Sequence, residues 1–219
     1  RRSDAATLRR LIGDAADAVV PGPFRELALL DAVQMYRPEE RRALTDILLE
    51  AGVNPNTCVH ASTPLVAAVV AKDFALVRRL LGAGADPNFR PENGDSALMT
   101  AVGSGEFWND RLGPATRFEP AVDEMTRILL EAGADVNARG HEGRTTLVNA
   151  IGRYPHNLER LLDAGADVNL AANDGWGPLM TADERVTRLL LKAGADVNAR
   201  TRAGQTPLHL CTTLAKVRC

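Results

Sequence analysis

Aromatic side chains make up only 4% of this 219-residue chain. That is too few to fill one large globular core, and it suits thin layers of aliphatic helices better. Positive charge is not in excess either: 26 Lys and Arg face 28 Asp and Glu, for a net charge of −2 and a pI near 6.1. Such a balance argues against a surface whose main task is covering phosphates, so nucleic acid is not an expected partner. The longest uninterrupted apolar run, residues 65–71, is too short to cross a bilayer, and no membrane association is expected. Cysteine is scarce and odd in number. Cys58, Cys211 and Cys219 have no metal-ligand spacing and read as free thiols of a reducing compartment, which makes a cytoplasmic location the expectation.

Catalytic constellations are missing as well. Gly103-Ser104-Gly105 has neither the following Lys nor the preceding strand of a phosphate-binding loop. His60, His141, His156 and His209 are scattered, without a Cys, Glu or His at ligand spacing. No spacing forces a Ser, a His and an Asp together. The expectation is a non-enzymatic protein with no catalytic residues, no cofactor and no metal.

What the chain does have is repetition. Leu190-Leu191-Lys192-Ala193-Gly194-Ala195-Asp196-Val197-Asn198 returns in close copies that begin at Leu48, Leu80, Leu129 and Leu161. Gly52, Gly84, Gly133, Gly165 and Gly194 stand 32, 49, 32 and 29 residues apart, one period near 33 with a long and a short interval. The paired leucines close an amphipathic helix, and the glycine supplies the left-handed residue by which the chain leaves it. Ala-Asp-Val-Asn then reads as a turn whose Asp and Asn side chains satisfy the loop's own amides.

About 13 residues after each glycine comes a second signature: Thr63-Pro64-Leu65, Ser96-Ala97-Leu98, Thr145-Thr146-Leu147, Gly177-Pro178-Leu179 and Thr206-Pro207-Leu208-His209. Thr and Ser are helix N-caps, and Pro fits the first helical position, where no donor is needed. Each period therefore opens one helix and closes another. With Thr206-Pro207-Leu208-His209 and the Ala-Gly-Ala-Asp-Val-Asn turns, the sequence resembles the ankyrin-repeat family over nearly its whole length. Only the last unit keeps the motif's His; Val66, Met99, Val148 and Met180 stand there in the others.

The resemblance implies an all-α chain, an α-α solenoid of helix pairs stacked and joined by short β-hairpin turns. Residues 1–219 read as a single repeat domain of about six helix-pair units. Residues 1–20 read as an N-terminal capping helix, a worn copy in which Ala15 replaces the glycine. The third unit carries an insertion at 103–120, about 49 − 33 = 16 residues above the period, that holds Phe107, Trp108 and Phe118. Loops of this length in compact repeats are usually functional or disordered. The fifth unit is cut short, with room for about a turn and a half in its first helix. The last stops one helix short, leaving Leu208, Leu210 and Leu214 without their usual cover, so self-association through this end is an expectation.

The resemblance further implies a protein-binding module that uses a concave face of hairpin tips and first helices. The expected partner-binding residues are Arg139, His141, Arg144, Trp176, Arg200 and Arg202 at the tips, with Phe107 and Trp108 from the insertion. From residue 139 onward the tips carry four arginines against Glu142 and Asp174, an excess that suits an acidic patch on a partner. Trp176 stands where a polar residue is usual, and tryptophan is enriched among binding hot spots. A second reading is an inhibitor or immunity-type protein that blocks a partner enzyme or toxin with the aromatic insertion.

Overall fold

The computed structural model of the chain describes residues 22–35, 37–59, 62–91, 95–103, 120–153 and 157–213. The expected capping helix, the 103–120 insertion beyond Gly103 and before Pro120, and Leu214 lie outside these residues. The described residues form an all-α stack of helix pairs; their β-structure is limited to isolated bridges, Val59 with Ser62 and Arg139 with Thr145. The chain falls into two compact units, Arg1–Ala97 and Leu98–Cys219.

In the first unit α1 (Gly22–Gln34) pairs with α2 (Pro38–Glu50), and α3 (Pro64–Val70) pairs with α4 (Phe74–Gly82). Pro38 at the first position and Glu39 and Glu40 in the first turn of α2 suit the positive end of the helix dipole. Leu29, Ala32, Leu48 and Val53 form the core between α1 and α2. Thr63 starts α3 by accepting from the Val66 amide at 3.1 Å, and Asp73 starts α4 by accepting from Leu76 at 3.2 Å. Asp73 is almost fully buried, and Arg42 reaches it from α2 with bonds of 2.7 to 3.1 Å. Those bonds raise the Arg42 guanidinium above its ordinary range.

The second unit contains α5 (Ala97–Ala101), which begins at its boundary, α6 (Pro120–Glu131), α7 (Thr146–Arg153), α8 (Leu158–Asp163), α9 (Pro178–Thr181), α10 (Glu184–Lys192) and α11 (Pro207–Thr213). Val102, Leu147, Ile151, Leu158, Leu161, Val186 and Leu190 share one core. Arg160 of α8 holds Asp123 of α6 through two bonds, at 2.7 and 2.8 Å, and those bonds raise the guanidinium above its usual range. The fifth unit is indeed short: α9 has four residues, a single turn, because Ala182 turns extended and hands the chain to the Asp183 cap of α10.

All five Leu-Leu helices end alike. The glycines adopt φ between 76° and 91°, and the residue after each donates back to the first leucine's carbonyl at 2.9 to 3.1 Å, while the glycine amide donates to the second's. This double closure is the Schellman motif, which needs a left-handed residue at the glycine position. The first leucine of each pair is buried, Leu48 at 8% and Leu80, Leu129, Leu161 and Leu190 at 0% exposure. Each such burial contributes roughly 1.5–3 kcal/mol.

The Asp-Val-Asn turn divides its labour differently from the sequence expectation. The Asp does serve its own loop: Asp86, Asp135, Asp167 and Asp196 each accept from the Asn amide two residues on, at 2.8 Å. The Asn side chain, however, serves the next unit. Asn56 donates to the Gly84 carbonyl at 3.0 Å and accepts from the Asp86 amide at 2.6 Å. Asn137 does the same to Gly165 and Asp167 at 3.1 and 2.8 Å, and Asn169 to Gly194 and Asp196 at 3.2 and 2.8 Å. A primary amide offers a donor and an acceptor side by side, which is what a carbonyl and a nearby N–H require.

Candidate functional site

Between each Asn-ended turn and the following helix the chain runs out to a hairpin tip and back. Three successive tips in the second unit close in the same way. Gly140 donates to Arg144 at 2.8 Å, Ala172 to Trp176 at 2.9 Å and Thr201 to Gln205 at 2.9 Å. At the first tip Glu142 and Gly143 both take left-handed conformations, φ 57° and 72°, the arrangement that matches a tight hairpin to the twist of its arms. At the second, the Asp174 carboxylate accepts from the Trp176 amide at 2.9 Å and fixes the turn that carries the indole.

Backbone bonds hold the tips in a row. The Asn173 amide donates to the Glu142 carbonyl at 2.9 Å, and the Arg202 amide donates to the Asp174 carbonyl at 2.8 Å. The approach is close. A Cβ on Gly143 would come within 2.2 Å of the Asn173 Oδ1, and one on Gly175 within 2.8 Å of the Thr201 Cα. The row therefore brings Arg139, His141, Arg144, Trp176, Arg200 and Arg202 onto one set of adjoining tips. Phe107 and Trp108 lie outside the described residues.

The arginines are not equivalent. Arg139 is exposed, but its Nη2 donates to the Ala171 carbonyl at 2.7 Å, so it braces its own tip to the next. Arg144 lies 3.6 Å from the Glu142 carboxylate, and Arg200 donates to the Gly204 carbonyl at 3.4 Å. The Arg202 guanidinium is exposed and has no partner among the described residues. His141 is exposed and Trp176 half-buried. Much of the apparent cationic excess at the tips is thus spent within the row, a pairing with backbone carbonyls that leaves no mark in the sequence.

The sequence places Asn173 and Asp174 at the tips but not among the expected partner-binding residues, and their role in holding and closing the tips was not foreseen. Asp174 is the one with a readable signal, since an Asp two residues before an amide in a Gly-containing turn commonly closes it. A shallow cavity of about 620 Å³ lies elsewhere in the second unit, lined by Glu159, Asp183 and Glu184 and by Arg185, Arg188 and Lys192. Its three acids and three bases give no preference for a ligand of either charge. Among the described residues no group of three or more His, Cys, Asp and Glu could hold a metal ion, and no helix is long and apolar enough to cross a membrane.

A family model described as ankyrin repeats, in three copies, matches residues 115–201, the stretch that carries the first two tips and leads into the third. No curated protein matches the sequence.

Proposed function

The chain belongs to the ankyrin-repeat family, whose repeats generally mediate protein–protein interactions, and on that premise we propose that its row of tips binds a partner protein. The observation that carries the proposal is the backbone register: bonds from Asn173 to Glu142 and from Arg202 to Asp174 hold variable side chains on a rigid edge before any partner arrives. Preorganisation of this kind lowers the ordering cost of association. Trp176 is the anchor, with a broad apolar ring next to polar neighbours, and Arg202 is the cation left for an acidic patch on the partner. Arg139, Arg144 and Arg200 act mainly by holding the tips in shape, and His141 flanks them. Phe107 and Trp108 would add an apolar contact from the insertion. A cytoplasmic scaffold, joining proteins without chemistry of its own, is the role this reading favours.

The test is binding to a partner captured from the source cell. Trp176→Ala weakens it by roughly 2 kcal/mol or more and leaves thermal unfolding nearly unchanged. Arg202→Ala slows association and makes it less sensitive to salt, as expected for a rim charge. Binding that survives Trp176→Ala, Arg202→Ala and deletion of residues 105–118, in protein that still folds, would place the site elsewhere.

A further inference from the structure

The three tips stand in register, so their residues can be compared place by place. Gly140, Ala172 and Thr201 open them, and Arg144, Trp176 and Gln205 close them. The third place holds Glu142, Asp174 and Ala203. Of these only Glu142 is left-handed, at φ 57°, and with Lys72 it is one of two such non-glycine residues among those described. A left-handed glutamate needs a reason, because its Cβ crowds the following carbonyl. The register of the tips does not supply one. The Glu142 carbonyl accepts from the Asn173 amide at 2.9 Å, but the Asp174 carbonyl accepts from Arg202 at 2.8 Å without a left-handed backbone. Nor does Arg144 supply one: its Nη2 lies 3.6 Å from the Glu142 carboxylate, beyond hydrogen-bond reach, and the two side chains are 56% and 62% exposed. An exposed pair of that kind stabilises by less than a left-handed backbone costs. Asn before Gly is what a turn with two left-handed residues prefers, yet here Glu142 stands before Gly143.

Strain of this kind concentrates at sites that bind or switch. We propose that Glu142 is a specificity-determining residue of the tip row, where its carboxylate receives a basic side chain of the partner; the inference rests on the reading of the tips as the binding edge. The Asp174 carboxylate is already held by the Trp176 amide, so Glu142 is the acid left for this task. The first tip then offers a carboxylate, the second the Trp176 indole and the third the Arg202 guanidinium, one group per tip in chain order. The partner that fits is a protein segment with a Lys or Arg, an apolar side chain and an Asp or Glu in that same order. Charge fixes the direction in which such a segment lies along the row. A segment acidic throughout would set like charge against Glu142 and is selected against.

The probe is a library of random short peptides displayed on phage and selected against the full chain. The parent is expected to enrich peptides in which Lys or Arg on one side and Asp or Glu on the other flank an apolar residue. For one such peptide, Glu142→Gln and Glu142→Asn should each weaken binding roughly tenfold. Exchanging the peptide's basic residue for methionine should cost the parent roughly tenfold as well, but either variant less than about twofold, since the pair is then already broken. Urea unfolding separates the charge from the backbone. Glu142→Asn suits the left-handed turn and should raise the folding equilibrium constant roughly threefold to tenfold, whereas Glu142→Gln should leave it within about twofold. Losses that simply add in the cycle overturn the proposal, as does a Glu142→Asn variant less stable than the parent, which would make the carboxylate structural. Peptides that need Trp176 but bind the Glu142 variants as well as the parent overturn it and leave the tip reading standing. Selection indifferent to Trp176→Ala, or a library that yields no binder, overturns both.

Discussion

Replacing Gly175 by alanine should be among the costliest single-methyl changes in the second unit. Gly175 sits at φ +83°, and its new Cβ would fall 2.8 Å from the Thr201 Cα and 2.9 Å from the Arg202 nitrogen. A left-handed backbone costs an ordinary residue roughly 1–2 kcal/mol. The overlap is with main chain, which has no rotamer to turn aside, and overpacking of this kind adds roughly 1–3 kcal/mol. Gly204 is the control: it sits at φ +75° with nothing within 4 Å of its would-be Cβ, so Gly204→Ala incurs the first cost alone. Urea unfolding of the two variants should therefore separate by about 1–3 kcal/mol, the second term by itself. The location of the damage is also specified. The Arg202 amide, bonded to the Asp174 carbonyl at 2.8 Å, should exchange with solvent much faster in Gly175→Ala than in Gly204→Ala. Equal loss of stability in the two variants, or an Arg202 amide as protected in Gly175→Ala as in the parent, would refute the close backbone approach on which the register of the tips depends.

Other expectations follow from single residues. Thr146 is fully buried, with a hydroxyl that has no partner among the described residues, at the position occupied by Pro64, Pro178 and Pro207 in other units; Thr146→Pro should stabilise by about 1 kcal/mol and raise Tm in calorimetry by ~2–4 °C. Asn169→Ala removes two bonds to atoms that water can reach, so urea unfolding should show a loss of about 1–2 kcal/mol. Asp73→Ala removes the cap of α4 and the buried acceptor of Arg42. Arg42 is half exposed and can be rehydrated, but Arg41, 3.7 Å from the same carboxylate and largely buried, loses its counter-charge too, so the loss should be about 3–5 kcal/mol.

Features written into local chemistry were readable in advance. Gly52, Gly84, Gly133, Gly165 and Gly194 announced left-handed helix ends because few other residues tolerate that conformation, and Thr63 and Thr145 announced caps because a hydroxyl beside an orphan amide has one obvious use. The destination of the Asn side chains was not readable, since their partners are main-chain atoms 25 to 30 residues away that every residue type supplies. The same blindness affected the tips. Arg139 looked like a free cation, but its acceptor is the carbonyl of Ala171, and no sequence pattern marks a carbonyl. Trp176 was singled out by its rarity at such a position, and its half-buried setting comes from the turn that Asp174 closes.

The asparagine joint has an evolutionary consequence. Because it engages only a glycine carbonyl and an amide two residues beyond, it asks nothing of the neighbour's side chains, and any unit with such a helix end is acceptable as a successor. The interval between Gly165 and Gly194 is three residues shorter than that between Gly133 and Gly165, yet the Asn169 joint measures 3.2 and 2.8 Å against 3.1 and 2.8 Å for Asn137. A deletion inside one unit is absorbed there and does not disturb the seam. Duplication, loss and reshuffling of whole units can then proceed without co-ordinated change on both sides, leaving each tip free to diverge on its own.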